Sequence, residues 1–552
     1  MISSEDVIAR LNPVQQEAVV NFSGPSLITA GAGSGKTRVL THRIAYMLAQ
    51  GVRAPNVLAL TFTNKAANEM KERISMMVGD AQSKFLWMGT FHSVFAKILR
   101  FEAEKLGFTS NFTIYDSTDS KSLIRKLVKE LNLEDDKYKP GEIASKISHA
   151  KNNLITPQGY LQNKQYVEND RFNKRPEVGR IYQMYQNRCR QSDAMDFDDI
   201  LLYINILFRD FPEVVEKYRE KYHYILVDEY QDTNFSQYLI IKRLSQNHHN
   251  VTVVGDDAQS IYSFRGAKIE NILNFKNDYP EFKMYKLEQN YRSTKTIVDA
   301  ANSLIKKNKT QLAKNTFSHY EDGDAIKVLK CSSETEEGFR IAMQISTLTK
   351  NEDRRFSDFA ILYRTNAQSR VIEEALNKMR IPCKIHGGLS FFQRAEIKDI
   401  VAYFRLIINH KDDEALTRVI NYPARGIGDT TLDKMAVIGR NNLVPMWEVV
   451  CRIEDCAQVI SKATCNKIAA FRSLILQLSG LIESVDAYTF ASEVLEKTGI
   501  LRTLGDDHSI EGQSRYENVQ ELLNAIKEFT ESEQEKGILQ YLEKISLLSD
   551  VS

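Results

Sequence analysis

Short apolar runs alternate with stretches of helical spacing over residues 1–92, the pattern of strands joined by crossover helices in a parallel sheet. The first run, at Leu27 and Ile28, leads through small residues from Ala30 to Gly35 into a predicted helix near Lys36 and Thr37. VLALTFTNKAANEM reads as a strand entering a helix, and FLWMGTFHS as a strand and turn. From about Val94 to Phe211 the strand signal fades, and SLIRKLVKELN and EVGRIYQMYQNRCRQ have helical spacing, which predicts a helical insertion. The alternation resumes in YHYILVDEYQD (Tyr222–Asp232) and VTVVGDDAQSIYSFRGA (Val251–Ala267), buried-type strands that end in polar residues. A second α/β segment is expected from the strand-like AIKVLKC (Ala325–Cys331) and DFAILYRT (Asp358–Thr365), followed by the helix QSRVIEEALNKM. After Gly387 and Gly388 the chain reads as helical to its end, with no low-complexity linker and no internal repeat.

With 552 residues the chain is too long for one core. A formal net charge of +1 means that a polyanion would be held by local basic patches and not by a global field. The six cysteines form no C-x-x-C pair and read as reduced packing residues. The N-terminus has no apolar signal core, and no run approaches the ~20 apolar residues of a membrane helix. The composition therefore reads as that of a cytoplasmic protein.

SLITAGAGSGKTRVL (Ser26–Leu40) has the layout of a phosphate cradle. Glycines turn successive N–H groups toward one anion, and the helix N-terminus adds partial positive charge. Ala32, Gly33, Ser34 and Gly35 form the loop, Lys36 reaches the terminal phosphates, and the Thr37 hydroxyl is a Mg²⁺ ligand. Ala30 stands where the strict pattern has glycine. Asp228 and Glu229 close the strand ILVDE; the first reads as the second Mg²⁺ anchor, the second as the group that orients and deprotonates the attacking water. A nucleoside triphosphate and Mg²⁺ are thus the expected substrate and metal. The carboxylates Asp196, Asp198 and Asp199 of MDFDD suit either a second metal or the N-terminus of an apolar helix, the latter being favoured.

The phosphate loop, DEYQDT (Asp228–Thr233), GDDAQSIYSFRGA (Gly255–Ala267) and QNYRS (Gln289–Ser293), in that order, resemble the superfamily 1 DNA helicases of the UvrD, PcrA and Rep type. LNPVQQEAV, TFTNKAANEM, GTFHS, MDFDD, YRTNAQSR, GGLSFFQRAEIKD and PARGIG extend the likeness along almost the whole chain. The resemblance implies an α/β fold of two RecA-like motor domains, the second incomplete, each with a mostly helical insertion. Its implied boundaries are 1–92 and 212–285 for the first motor, 93–211 for its insertion, 286–387 for the second motor and 388–552 for its insertion. It assigns Gln15 to the adenine edge, Arg38 and Tyr291 to the base pocket, Gln259 to the γ-phosphate or attacking water, and Arg292 to the γ-phosphate.

Phe62, His92, Tyr262, Phe264 and Arg265 follow predicted strands in loops, where aromatic rings suit stacking on single-stranded DNA; packing between domains is the other reading for Phe62 and Phe264. Thr63, Asn64 and Lys65 read as ligands of the DNA backbone at a helix start. RGIGDTT suits either a duplex-phosphate turn or an ordinary turn capped by Thr430. Phe264 stands where the family usually has Trp, and Ala258 where it is commonly acidic. The chain stops at Ser552, before a family segment that carries another arginine finger. The expectation is a C-terminally truncated helicase that binds ATP, single-stranded DNA and strand junctions but hydrolyses and unwinds poorly, with roles in repair or replication and partners from those processes. The alternatives are a nucleotide-gated DNA-binding or regulatory protein without productive hydrolysis, and an NTPase acting on proteins.

Overall fold

The computed structural model describes residues 3–548 except 264–265, 310, 313, 352, 386–390 and 533–535. One compact unit is built from Met1–Asp322 and Glu396–Val551, a second from Gly323–Ala395.

The first unit is organised by a six-stranded sheet. Its strands are β1 (Ser26–Ala30), β2 (Val57–Thr61), β3 (Trp87–Thr90), β6 (Tyr224–Val227), β7 (Val251–Gly255) and β8 (Lys283–Leu287). Two short strands, β4 (Thr113–Tyr115) and β5 (Ala194–Asp196), pair within the intervening segment, and β9 (Gln289–Asn290) pairs with β10 (Phe317–Ser318). The sheet order is β3-β2-β6-β7-β1-β8, every neighbour parallel. Strands β1, β2 and β7 are buried along their whole length because helices cover both faces, which explains their unbroken apolar runs. Alternate residues feed two cores: Ile28, Val57, Ala59, Leu226 and Val254 on one face, Leu27, Leu58, Leu60, Ile225 and Val253 on the other. All parallel strands deliver their carboxyl ends to one edge.

Between β3 and β6 the chain is mostly helical, with its own core around Tyr115, Ile124, Leu127, Ile181 and Tyr182. The MDFDD carboxylates stand at the N-terminus of the helix Phe197–Asp210: Asp196 caps it, accepting from Asp199 N at 2.9 Å while Asp199 accepts from Asp196 N at 3.0 Å. The wholly buried Lys151 closes this cluster, 2.6 Å from Asp196 Oδ2 and 2.9 Å from Asp199 Oδ1. Burial opposes its charge, and the two carboxylates outweigh that penalty and hold its pKa above the usual value. Lys151→Met leaves two buried carboxylates uncompensated and is expected to cost about 3–5 kcal/mol, read as a lower denaturant midpoint. An unchanged midpoint would refute this role.

The second unit departs from expectation. The segments Ala325–Cys331 and Asp358–Thr365 form no ladder with any described residue, and Val328 and Leu362 are 91% and 94% exposed. Apolar alternation assigns faces to a strand but does not supply the neighbour that makes it one. What holds this unit together is the helix pair Glu334–Asn351 and Ser369–Lys378, packed through Ala342, Ile345, Ile372 and Leu376. Gly338 lets the helices close, since a Cβ there would lie 3.1 Å from Val371 O.

FLWMGTFHS is corrected too. Residue 91 begins a helix, Phe91–Glu102, because Thr90 Oγ1 caps Ser93 N at 3.2 Å and Phe91, Val94, Phe95 and Ile98 form one buried face. His92 therefore sits in a first helical turn and not in a loop. In RGIGDTT the cap position of the helix Asp429–Asn441 is Gly428, without a side-chain cap, so Thr430 does not cap that turn.

Candidate functional site

The loop after β1 turns through Gly33 (φ 70°) and Gly35 (φ 89°), left-handed conformations that side chains disfavour. The helix Lys36–Ala49 then starts with no side-chain cap, whereas Pro13–Val20, Asn64–Val78 and Phe91–Glu102 are each capped by a side chain. Its first N–H groups are left for an anion, the observation that fits a phosphate ligand. Ser34 is buried and ties the loop together, donating Oγ to Gly31 O at 2.7 Å.

Lys36 Nζ lies 2.7 Å from Glu229 Oε2 and 3.0 Å from Oε1. Glu229 follows β6 with φ 49°, a costly backbone for a non-glycine residue, held by Asp228 Oδ1 accepting its N–H at 3.0 Å. Asp228 is nearly buried, and burial with the neighbouring Glu229 pushes its carboxyl up to about 7. A buried carboxylate is a hard-oxygen donor of the kind that suits Mg²⁺. Among the described residues no group of three or more His, Cys, Asp or Glu is placed to hold a metal. Asp228 and Thr37 are the residues that the sequence reading gives to the ion, alongside nucleotide phosphates.

Gln259 donates Nε2 to Asp256 Oδ2 at 2.6 Å. Gln231, which sequence reasoning passed over, connects this residue to the lysine site: its Nε2 reaches Glu229 Oε2 at 2.9 Å and its Oε1 accepts Asp256 N at 3.0 Å. Asn290 was also missed, although it lies inside QNYRS. Its amide donates to Ala32 O at 2.6 Å, and its oxygen accepts the N–H groups of Arg292 at 2.8 Å and Ser293 at 2.7 Å. A Cβ on Gly33 would lie 2.7 Å from Arg292 Cβ, so this arginine is anchored on the phosphate loop with its head exposed.

Arg38, Tyr291 and Gln15 meet at one stretch. Arg38 Nη2 donates to Arg10 O at 2.7 Å, and Asn12 Nδ2 to Tyr291 Oη at 2.8 Å. Gln15, the residue expected at the adenine edge, sits beside them under the loop. It is 1% exposed, donates to Ser34 O at 3.2 Å and accepts Asn12 N at 3.2 Å, because its helix cap and the loop above both draw on its amide.

The strand-binding candidates divide. Phe62 follows β2 and stacks on Tyr262, ring centres 6.0 Å apart. Thr63 caps the helix that starts at Asn64, accepting from Ala66 N at 3.2 Å. His92 stacks on Phe197 at 3.6 Å, and burial lowers its pKa to about 3, so it is neutral and contributes no charge to a phosphate. Phe62, His92, Phe197, Asn152 and Asp232 line one cleft of about 390 Å³, in whose wall Thr61 Oγ1 is buried without a partner. Asn152 had no local signal and Phe197 lies inside MDFDD, read there only for its carboxylates; both reach the cleft from the helical insertion. Phe264 and Arg265 lie outside the described residues.

With a phosphate loop, a carboxylate pair and an aromatic cleft on one sheet edge, comparison with known proteins becomes decisive. Residues 11–280 match the UvrD/REP helicase N-terminal domain, and residues 285–552 match the UvrD-like helicase C-terminal domain. The chain belongs to the UvrD/REP helicase family. Among curated members, it is 43% identical to the ATP-dependent DNA helicase PcrA of Bacillus subtilis (strain 168), over 99% of this chain and 73% of that protein. It is 41% identical to PcrA of Staphylococcus aureus (strain Mu50), over 99% of this chain and 74% of the relative. This membership confirms the resemblance and the two-domain α/β helicase fold. The chain spans about three-quarters of these relatives' own length, and nothing in the matches supports the expectation of poor hydrolysis and unwinding. Among the described residues no helix is long and apolar enough to cross a membrane.

Proposed function

We propose that this UvrD/REP-family protein is an ATP-dependent DNA helicase that hydrolyses ATP to move along single-stranded DNA and to open strand junctions. The observation that carries the reading is the unbroken set of contacts from Lys36 through Glu229, Gln231 and Asp256 to Gln259, three residues before Tyr262, which stacks on Phe62 of the cleft. Nucleotide chemistry and strand grip thus share one hydrogen-bonded edge.

On this reading Lys36 leaves Glu229 for the terminal phosphates, which frees Glu229 to orient water and take its proton. Thr37 and Asp228 would hold Mg²⁺, which, when bound, would neutralise phosphate charge. Arg292 reaches across the loop toward the charge that develops on the γ-phosphate. Arg38 and Tyr291 line the base pocket, and Gln15, held under the loop by Ser34 O, reads the adenine edge. Phe62 and Tyr262 stack with bases, and Asn64 and Thr63 present a helix N-terminus to the strand backbone. The relatives' named activity supports this reading, as does the uncapped phosphate helix. We further propose the division at 1–92, 93–211, 212–285, 286–387 and 388–552 as its motor and insertion segments.

The test is ATP hydrolysis by the chain with and without oligothymidine, beside Phe62→Ala. The strand should accelerate turnover, and the variant should need more DNA for half-maximal rate, by the equivalent of about 1–3 kcal/mol of stacking. Turnover indifferent to DNA would point instead to an NTPase acting elsewhere. Tight ATP and DNA binding without turnover would favour the nucleotide-gated module.

A further inference from the structure

Lys314 lies on the segment leading into β10, far in sequence from the residues it touches. Its Nζ is 2.6 Å from Asp257 Oδ1 and also bonds Asp256 Oδ1. The three side chains are 10%, 1% and 3% exposed, so two adjacent, almost buried carboxylates share this ammonium. Leu312 N donates to Asp257 Oδ2 at 2.7 Å and completes that carboxylate. The other oxygen of Asp256 is the one that accepts Gln259 Nε2.

The same segment is fixed against the phosphate loop. Thr316 packs so closely on Gly31 that a Cβ there would collide with its hydroxyl. Asn315 N and Phe317 N donate to Glu288 Oε1 and Glu288 O at 2.7 and 2.9 Å. One short stretch therefore touches the nucleotide loop on one side and places a cation on the Asp256–Gln259 pair on the other. Ser260 Oγ donates to Gln231 O at 3.2 Å, and Tyr262 stacks on Phe62, so the segment after Gln259 packs on a residue that lines the strand cleft.

We propose that Lys314 is a positioning residue: it holds Asp256 and through it Gln259, and thereby ties the state of the nucleotide site to the affinity of the strand cleft. The proposal rests on the function given above. Without the ammonium, two adjacent carboxylates repel each other in a dry site, and Asp256 no longer offers Gln259 a fixed acceptor. Arginine preserves the charge and can span both carboxylates.

The test uses the full chain as wild type, Lys314→Arg, Lys314→Met, and Lys314→Met with Asp257→Asn. The double variant removes one carboxylate with the lysine, restoring charge balance should the single variant fail to fold. Affinity for fluorescent oligothymidine is measured with and without Mg²⁺ and a non-hydrolysable ATP analogue. In wild type the two affinities should differ by a factor of about 5–150, the usual range of coupling between sites. Lys314→Met and the double variant should bring that factor close to one while still binding a fluorescent ATP analogue as wild type does, and Lys314→Arg should retain it. An undiminished factor in the methionine variants overturns the proposal, as does a wild-type factor of one or loss of nucleotide binding in step with the coupling. Failure of the underlying function is read separately, as wild-type ATP turnover that DNA does not stimulate.

Discussion

Arg292→Ala is expected to slow DNA-stimulated ATP turnover by about 10³–10⁵, the effect of an arginine finger in phosphoryl transfer. The size follows from where charge appears. The transferred phosphoryl spreads negative charge over its oxygens, and a guanidinium already in place meets that charge without reorganisation. Asn290 supplies the placement, binding the phosphate loop at Ala32 O and the Arg292 backbone with one amide group. Because the Arg292 head is exposed in the structure, its removal leaves no buried partner unpaired, and folding should be unaffected. Lysine should restore little, since a single ammonium does not reproduce the planar fork. Rapid-quench measurement of the hydrolysis step, beside nucleotide binding, checks the prediction. A loss of only a few-fold would remove Arg292 from the transition state.

Glu229→Gln should lower kcat by about 10²–10⁴, the contribution of a positioned general base, while ATP and DNA still bind. The substitution keeps shape and hydrogen-bonding capacity, so Gln231 retains a partner, but the amide does not accept a proton. It also removes the anion that Lys36 faces at 2.7 Å. Lys36 is then released from its resting contact, and ATP affinity should hold or rise as kcat falls. Lys36→Ala behaves differently, losing affinity and turnover together. A glutamine variant that turns over at the wild-type rate would mean that water is activated elsewhere.

Local chemistry made part of this legible from the sequence. Glycines at positions 33 and 35 before Lys36 fix a loop and a helix start whatever surrounds them, and the apolar runs of β1, β6 and β7 predict a parallel sheet whose ends share one edge. Asp196 reads as a helix cap because the residues that satisfy it lie within one turn. The order of motifs further implied the family, which the comparisons bear out.

Tertiary structure decided what depends on a distant partner. Whether Ala325–Cys331 becomes a strand turns on a neighbour to pair with, and whether His92 carries charge turns on the packing against Phe197. Lys151 and Lys314 look like surface lysines in sequence, yet both are buried against carboxylate pairs brought in by other segments. Capping and turn formation are settled within a few residues of backbone. A buried charge is tolerable only if folding delivers its counter-ion, and that counter-ion leaves no trace in the neighbouring sequence.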